Sequence, residues 1–164
     1  MIDTTIETVQ RISAELRPRM LDDLGLSAAV EWQLQEFERR TGIKCKLTLS
    51  REKLSLDSAR STAVFRILQE ALTNVARHAN ARRVTVTLKE DGDNFMLRVR
   101  DYGEGIKQDK IFHPLSLGLL GMRERGMVWG GEIEIEGVSG KGTTVTLRLP
   151  LRRKVDRPRR RAAR

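Results

Sequence analysis

Cysteine, histidine, aromatic residues and long apolar runs are all scarce in this chain of 164 residues. The single cysteine, Cys45, rules out an internal disulfide. With only two histidines, His78 and His113, a Cys/His zinc cluster is excluded as well. A chain this long buries roughly 70% of its unfolded surface and needs neither staple. Aromatic residues make up 4% of the chain, so it offers no base-stacking platform, which argues against nucleic acid as a partner. No apolar run approaches the ~18 residues of a membrane span, and the charged N-terminus has no signal-peptide core. A reducing, cytoplasmic setting is the expectation.

What is abundant is basic charge, unevenly placed. Of 31 Lys/Arg and 22 Asp/Glu residues, eight basic and one acidic fall in residues 151 to 164. The remainder is nearly balanced, so the net charge of +9 belongs mostly to a tail. That tail is too poor in apolar residues to pack and is expected to be disordered.

The periodicities describe an alternation of helices and strands. Ile2, Ile6, Val9, Ile12 and Leu16 recur at helical spacing as a narrow seam. Pro18 predicts a break after Arg17, followed by an irregular joint over residues 21 to 26. Ser27 is placed to cap a second helix with Val30, Leu34 and Phe37 on one side, stopped by Thr41 and Gly42. Ile43, Cys45, Leu47 and Leu49 alternate as a strand. Asp57 or Ser58 caps a third helix, whose stripe is Val64, Ile67, Leu68, Ala71, Leu72 and Val75 and which fades at Asn80. Two hairpins follow, one turning at Asp91-Gly92 and one at residues 137 to 142, with a helix between them after Gly118-Leu-Leu-Gly121. The expected class is α+β: a two-layer sandwich of helices on a mixed, largely antiparallel sheet.

Chemistry gathers at two places. Glu70 and Asn74 stand four apart on the third helix, with Arg77 and His78 on the same adjoining face. An Asn carbonyl is a hard neutral oxygen suited to magnesium; Glu70 can orient a nucleophile or take its proton; Arg77 and His78 can meet phosphate oxygens. At the end of the first hairpin stands Asp101-Tyr-Gly103-Glu-Gly105. The carboxylate can accept from an exocyclic amine, and the glycines let backbone approach a flat ligand. Gly118 and Gly121, ahead of a helix, can cradle a phosphate. Familiar alternatives fail. Ser139-Gly140-Lys141-Gly142-Thr143 is not a Walker loop, because Ile135 stands where the first glycine belongs and Gly142 follows the lysine. No Gly-x-Ser-x-Gly elbow is present.

In order, these pieces are Glu70-x-x-x-Asn74-x-x-Arg77-His78-Ala79, Asp101-x-Gly103-x-Gly105, Gly118-Leu-x-Gly121-Met122-Arg-Glu-Arg125 and Gly140-x-Gly142-Thr143. Over about residues 58 to 150 the chain resembles the catalytic ATP-binding domain of two-component sensor histidine kinases, in the gyrase, chaperone and histidine-kinase ATPase superfamily. Asn74-Val-Ala-Arg-His78-Ala and Gly121-Met-Arg-Glu-Arg125 are similar to the subgroup that pairs with nitrate-responsive-type response regulators. So is Leu16-Arg-Pro18-Arg-Met-Leu21-Asp-Asp-Leu24-Gly-Leu26. The resemblance implies a Bergerat-type fold holding ATP and Mg2+ under a lid. Asp101 then binds the adenine amine, with room given by Gly103 and Gly105. Asn74 holds the metal, Glu70 is the catalytic base or orienter, and Arg77 and His78 lie near the phosphates. Gly118 and Gly121 hinge the lid, and Thr143 lies near the adenine.

On this reading residues 1–26 are the end of a dimerisation helix and its joint, 27–150 the ATP-binding domain, and 151–164 the basic tail. No histidine precedes His78, and His113 beside Pro114 falls in the short lid, so the phosphoacceptor histidine is expected on a part of the parent kinase outside this chain. The expected partners are that histidine-phosphotransfer domain, a response regulator through the full-length protein, and a second copy through residues 2–16. The parent protein can be membrane-associated. The alternative is a stand-alone serine/threonine kinase of the anti-sigma-factor type, against which the segment from Leu16 to Leu26 argues.

Overall fold

A computed structural model describes residues 2–50, 54, 56–113 and 116–151, with residues 2–20 by backbone alone. The seam proposed to pair two copies and the basic tail from residue 152 therefore lie outside the described side chains.

The first helix, α1 (Ile2–Thr41), does not stop at Pro18 as expected. It runs on to Gly25, the one residue in non-helical geometry (φ 80°, ψ 172°). Proline inside a helix removes one hydrogen bond and kinks it, whereas the conformation at Gly25 is one that glycine adopts without penalty. Leu21 and Leu26, on either side, are both buried, so the chain turns there while staying docked. The helix resumes too early for Ser27 to cap it, and Ser27 Oγ is buried without a partner. Beyond the break Val30, Leu34 and Phe37 are buried. Gly42, at φ 73°, ends the helix with its N–H on the Glu38 carbonyl at 2.8 Å.

β1 (Lys44–Leu49) leads to α2 (Ser58–Asn74), capped by Asp57, whose side chain accepts from the Arg60 N–H. α2 opens into a π-helical turn, Val75–Ala79, that ends at Asn80 in left-handed geometry, φ 48°. β2 (Arg83–Asp91) and β3 (Asn94–Asp101) form the first hairpin, with Gly92 at φ 60° in its two-residue turn. α3 (Gln108–Ile111) and α4 (Leu117–Val128) precede β4 (Glu132–Val138) and β5 (Gly142–Pro150).

The five strands lie in the order β1-β2-β3-β5-β4. Among the described residues only β1 and β2 pair in parallel, joined through α2; the other pairs are antiparallel. α2 buries Val64, Ile67, Leu68 and Leu72 against the inward residues Val84, Val86, Leu88, Phe95, Leu97, Leu147 and Leu149 of the sheet. Each such Leu or Phe contributes about 1.5–3 kcal/mol on leaving water. The α+β sandwich expected from the periodicities is what forms.

Candidate functional site

The site lies where α2, the ends of β3 and β5 and the start of α4 meet around a cavity of about 590 Å³, within the range of small-molecule pockets. α2 supplies Glu70 and Asn74, one turn apart. The π-helical turn then carries Arg77 and His78 to the same cavity. Sequence periodicity gave no sign of that turn, which adds a residue to one helical turn and so resets which side chains point inward.

Asp101 ends β3 facing the helices, and it is 4% exposed. Its Oδ1 accepts two backbone N–H groups, from Gly103 at 2.9 Å and Thr143 at 3.2 Å. Among the described residues no N–H or O–H donates to its Oδ2, and Asp101 lines the cavity. Thr143 Oγ1 in turn accepts the Ile106 N–H at 3.0 Å. The loop after Asp101 is pinned by Glu104 N–H on the Ala79 carbonyl (2.8 Å) and Gly140 N–H on the Glu104 carbonyl (2.8 Å). Gly103 is required because a Cβ there would strike the Ala79 carbonyl, and Gly105, at φ 80°, because one would strike that of Val138. Gly103 thus shapes the loop from below and does not line the cavity; Gly105 does.

Gly118 and Gly121 do not form a turn ahead of a helix, as expected. α4 begins at Leu117 and contains both, because Leu119 and Met122 bury at helical spacing and draw the first turn into regular geometry. Gly118 lines the cavity, and a Cβ on it would overlap the Glu70 carboxylate, so the N-terminus of α4 lies directly against Glu70. Gly121 stands off the lining, facing Arg125. His113 is exposed outside the lining.

From Glu70 to Ala79, which touches the Asp101 loop, the chain advances nine residues, about 13 Å at helical rise. The cavity is therefore elongated, with a hydrogen-bond acceptor at one end and a carboxylate beside a helix N-terminus at the other. Val99, Ile135 and Val145 give it an apolar floor. Lys107 and Lys110 also line it and were missed in the sequence, where they look like ordinary surface lysines of an irregular loop.

Asn74 Nδ2 is buried beside this cavity without a partner, an uncompensated polar atom of the kind a ligand or its waters satisfies. Among the described residues no group of three His, Cys, Asp or Glu could hold a metal alone. One amide oxygen with a nearby carboxylate suits magnesium, which keeps several waters and takes phosphate oxygens from its substrate.

Residues 59–153 match the model of the histidine kinase-, DNA gyrase B- and HSP90-like ATPases. The oxygen sensor histidine kinase NreB of Staphylococcus carnosus is 36% identical over 146 residues, which are 89% of this chain and 42% of that protein. The chain thus spans less than half the length of this relative. The blue-light activated histidine kinase EL346 of Erythrobacter litoralis superposes with a TM-score of 0.73 at 20% identity, over 90% of this chain and 50% of that one. Histidine kinase AdeS of Acinetobacter baumannii gives 0.64 at 16% identity, over 90% and 81%. At such identities these two structures speak for the fold, which they share with this chain. The chain belongs to the family of histidine kinase-, DNA gyrase B- and HSP90-like ATPases.

Proposed function

We propose that this chain is the ATP-binding catalytic domain of a cytoplasmic sensor histidine kinase, donating the γ-phosphate of Mg-ATP to a histidine that is neither His78 nor His113, for relay to a response regulator. The observation that carries the reading is the divided carboxylate of Asp101: one oxygen is fixed by two backbone N–H groups, and the other is left for a ligand amine. The relation to NreB favours a histidine acceptor over the serine/threonine alternative.

Adenine packs on the apolar floor with its amine on Asp101 Oδ2, and Thr143 holds that carboxylate in place. Arg77, His78, Lys107 and Lys110, which line the same cavity as Glu70 and the N-terminus of α4, would hold the triphosphate. Asn74 would hold magnesium, which when bound would supply charge neutralisation to the phosphates. An acceptor imidazole nitrogen attacks the γ-phosphorus in line, the bond to the bridging oxygen breaks, and ADP leaves. Glu70 orients that imidazole or accepts its proton. Positioning and charge neutralisation supply most of such catalysis.

A fluorescent ATP analogue titrated with magnesium tests this. Asp101→Asn keeps an oxygen for the two N–H groups and is expected to weaken binding about 10–100-fold, the worth of one hydrogen bond to a charged group. Asn74→Ala is expected to remove the magnesium dependence. Equal affinity in Asp101→Asn would sink the adenine assignment, and unchanged magnesium dependence in Asn74→Ala the metal assignment.

A further inference from the structure

Helices cover one face of the sheet. On the other face the alternate residues stand in rows fixed by the strand register. Lys46 lies opposite Thr85, which lies opposite Arg100, and one step along Thr87 lies opposite Arg98. Arg83 and Arg100 lie over the Tyr102 ring at 4.1 and 4.9 Å. Among the described residues, Lys46, Arg83, Arg98 and Arg100 make no ion pair. On the edge strand β4 the same face carries Glu132, Glu134 and Glu136, of which, among the described residues, Glu134 alone is paired, with Arg148. Beyond the two contacts with Tyr102, a cluster of cations without carboxylate partners repels itself and is costly to hold together.

We propose that this open sheet face docks a protein that presents an acidic surface patch, its carboxylates received by Arg83, Arg98 and Arg100 and its orientation set by the glutamates of β4. Guanidinium groups pair with carboxylates in a two-pronged geometry, and three arginines held on neighbouring strands offer it repeatedly. Thr85 and Thr87 add hydroxyls between them. The Tyr102 hydroxyl is held below its ordinary pKa by a hydrogen bond with Thr85, then by the charges of Arg100, Arg83 and Lys46, as expected of a strongly positive patch. Nucleic acid fits less well, because the Tyr102 ring is already engaged by two guanidiniums and the β4 glutamates repel phosphates. A bilayer fits less well because the one exposed ring among the cations, Tyr102, is held flat under two guanidiniums, and the β4 glutamates repel anionic headgroups. A second copy would have to bring its β4 glutamates to these arginines, and Glu134 is already held by Arg148; self-association is the outcome that would show it. With little apolar area, the contact is transient and electrostatically steered.

The test uses the full chain, labelled with 15N and titrated separately with a glutamate-rich peptide, a short DNA duplex and phosphatidylserine vesicles. The peptide is expected to shift the amides of Thr85, Thr87, Thr144 and Thr146, with an affinity that falls as salt is raised. The triple variant Arg83→Ala, Arg98→Ala, Arg100→Ala should bind it about tenfold more weakly, the combined worth of three exposed ion pairs. Its nucleotide affinity should be unchanged, since none of the three lines the cavity, while the loss of two guanidiniums from the Tyr102 ring is expected to lower its melting temperature slightly. The proposal is overturned if the peptide shifts only amides off this face or if the triple variant binds as the wild type does. It is equally overturned if duplex or vesicles engage the face more tightly than the peptide, or if the chain self-associates through it.

Discussion

Asp101 and Cys45 sit on strands of the same sheet, and their surroundings do different work. Around Asp101 the backbone is brought close on purpose. Gly142, at φ 96°, stands where a Cβ would strike the Asp101 carbonyl, and this closeness lets the next residue, Thr143, donate its N–H to Oδ1. Gly140, at φ 71°, has nothing near its Cβ direction; its conformation serves the turn, and its N–H holds the Glu104 carbonyl. Cys45 lies half-buried between strand and helix. Burial, and then the negative charge of Glu38, pushes its thiol from 9.0 up to about 11. The folded chain therefore keeps this proton between pH 9.0 and about 11 while the unfolded chain releases it. Stability is untouched below that window and declines as pH rises through it. Alkylation of the folded protein is expected to accelerate only toward the upper end of the window, and Cys45→Ser should flatten the alkaline loss of stability. A folded-state rate profile centred on the ordinary thiol value would contradict this.

Among the elements, two helix ends build the site. The π-helical turn at the end of α2 and the start of α4 converge on the cavity, and Gly118 is where α4 meets Glu70. Gly118→Ala sets two effects against each other. Alanine in a helix is worth about 1 kcal/mol over glycine, while the added Cβ must push aside the flexible end of Glu70. Thermal stability is therefore expected to stay level or rise by up to about 1 kcal/mol. Phosphoryl transfer to the acceptor histidine in the assembled kinase should fall, because the carboxylate is displaced. A melting curve beside a transfer assay on the same variant separates the two effects; unimpaired transfer would remove Glu70 from its assigned role. The break in α1 belongs here too. Pro18 is the obvious breaker on paper, yet the turn occurs at Gly25, where Leu21 and Leu26 both find the core.

For the molecule as a whole, a cavity assembled from α2, α4 and the sheet couples nucleotide binding to global stability. A ligand that binds only the folded chain adds about 2.7 kcal/mol at a hundred times its Kd. Mg-ATP at that excess is expected to raise the melting temperature of the wild type, and the same concentration should give Asp101→Asn a clearly smaller rise. Identical shifts would mean that the nucleotide binds elsewhere.

Much of this architecture is legible in the linear chain. The stripe on α2, the alternation in β2, β3 and β5 and the hairpin turn at Gly92 follow from local periodicity. So does the pairing of Glu70 with Asn74 on one helical face, since i and i+4 must coincide. What stays hidden are features that arise between elements. The parallel pairing of β1 with β2 depends on how α2 crosses over. Lys107 and Lys110 become cavity residues only when the loop after Asp101 is pinned to Ala79 and Thr143. The π-helical turn and the helical state of Gly118 and Gly121 are set by packing, which overrides local propensity when buried leucine and methionine are at stake. The cationic rows on the open face join residues from three strands, and no window along the sequence contains them. Local geometry thus dictated which side chains could act together within an element, while packing between elements decided which of them share a cavity or a face.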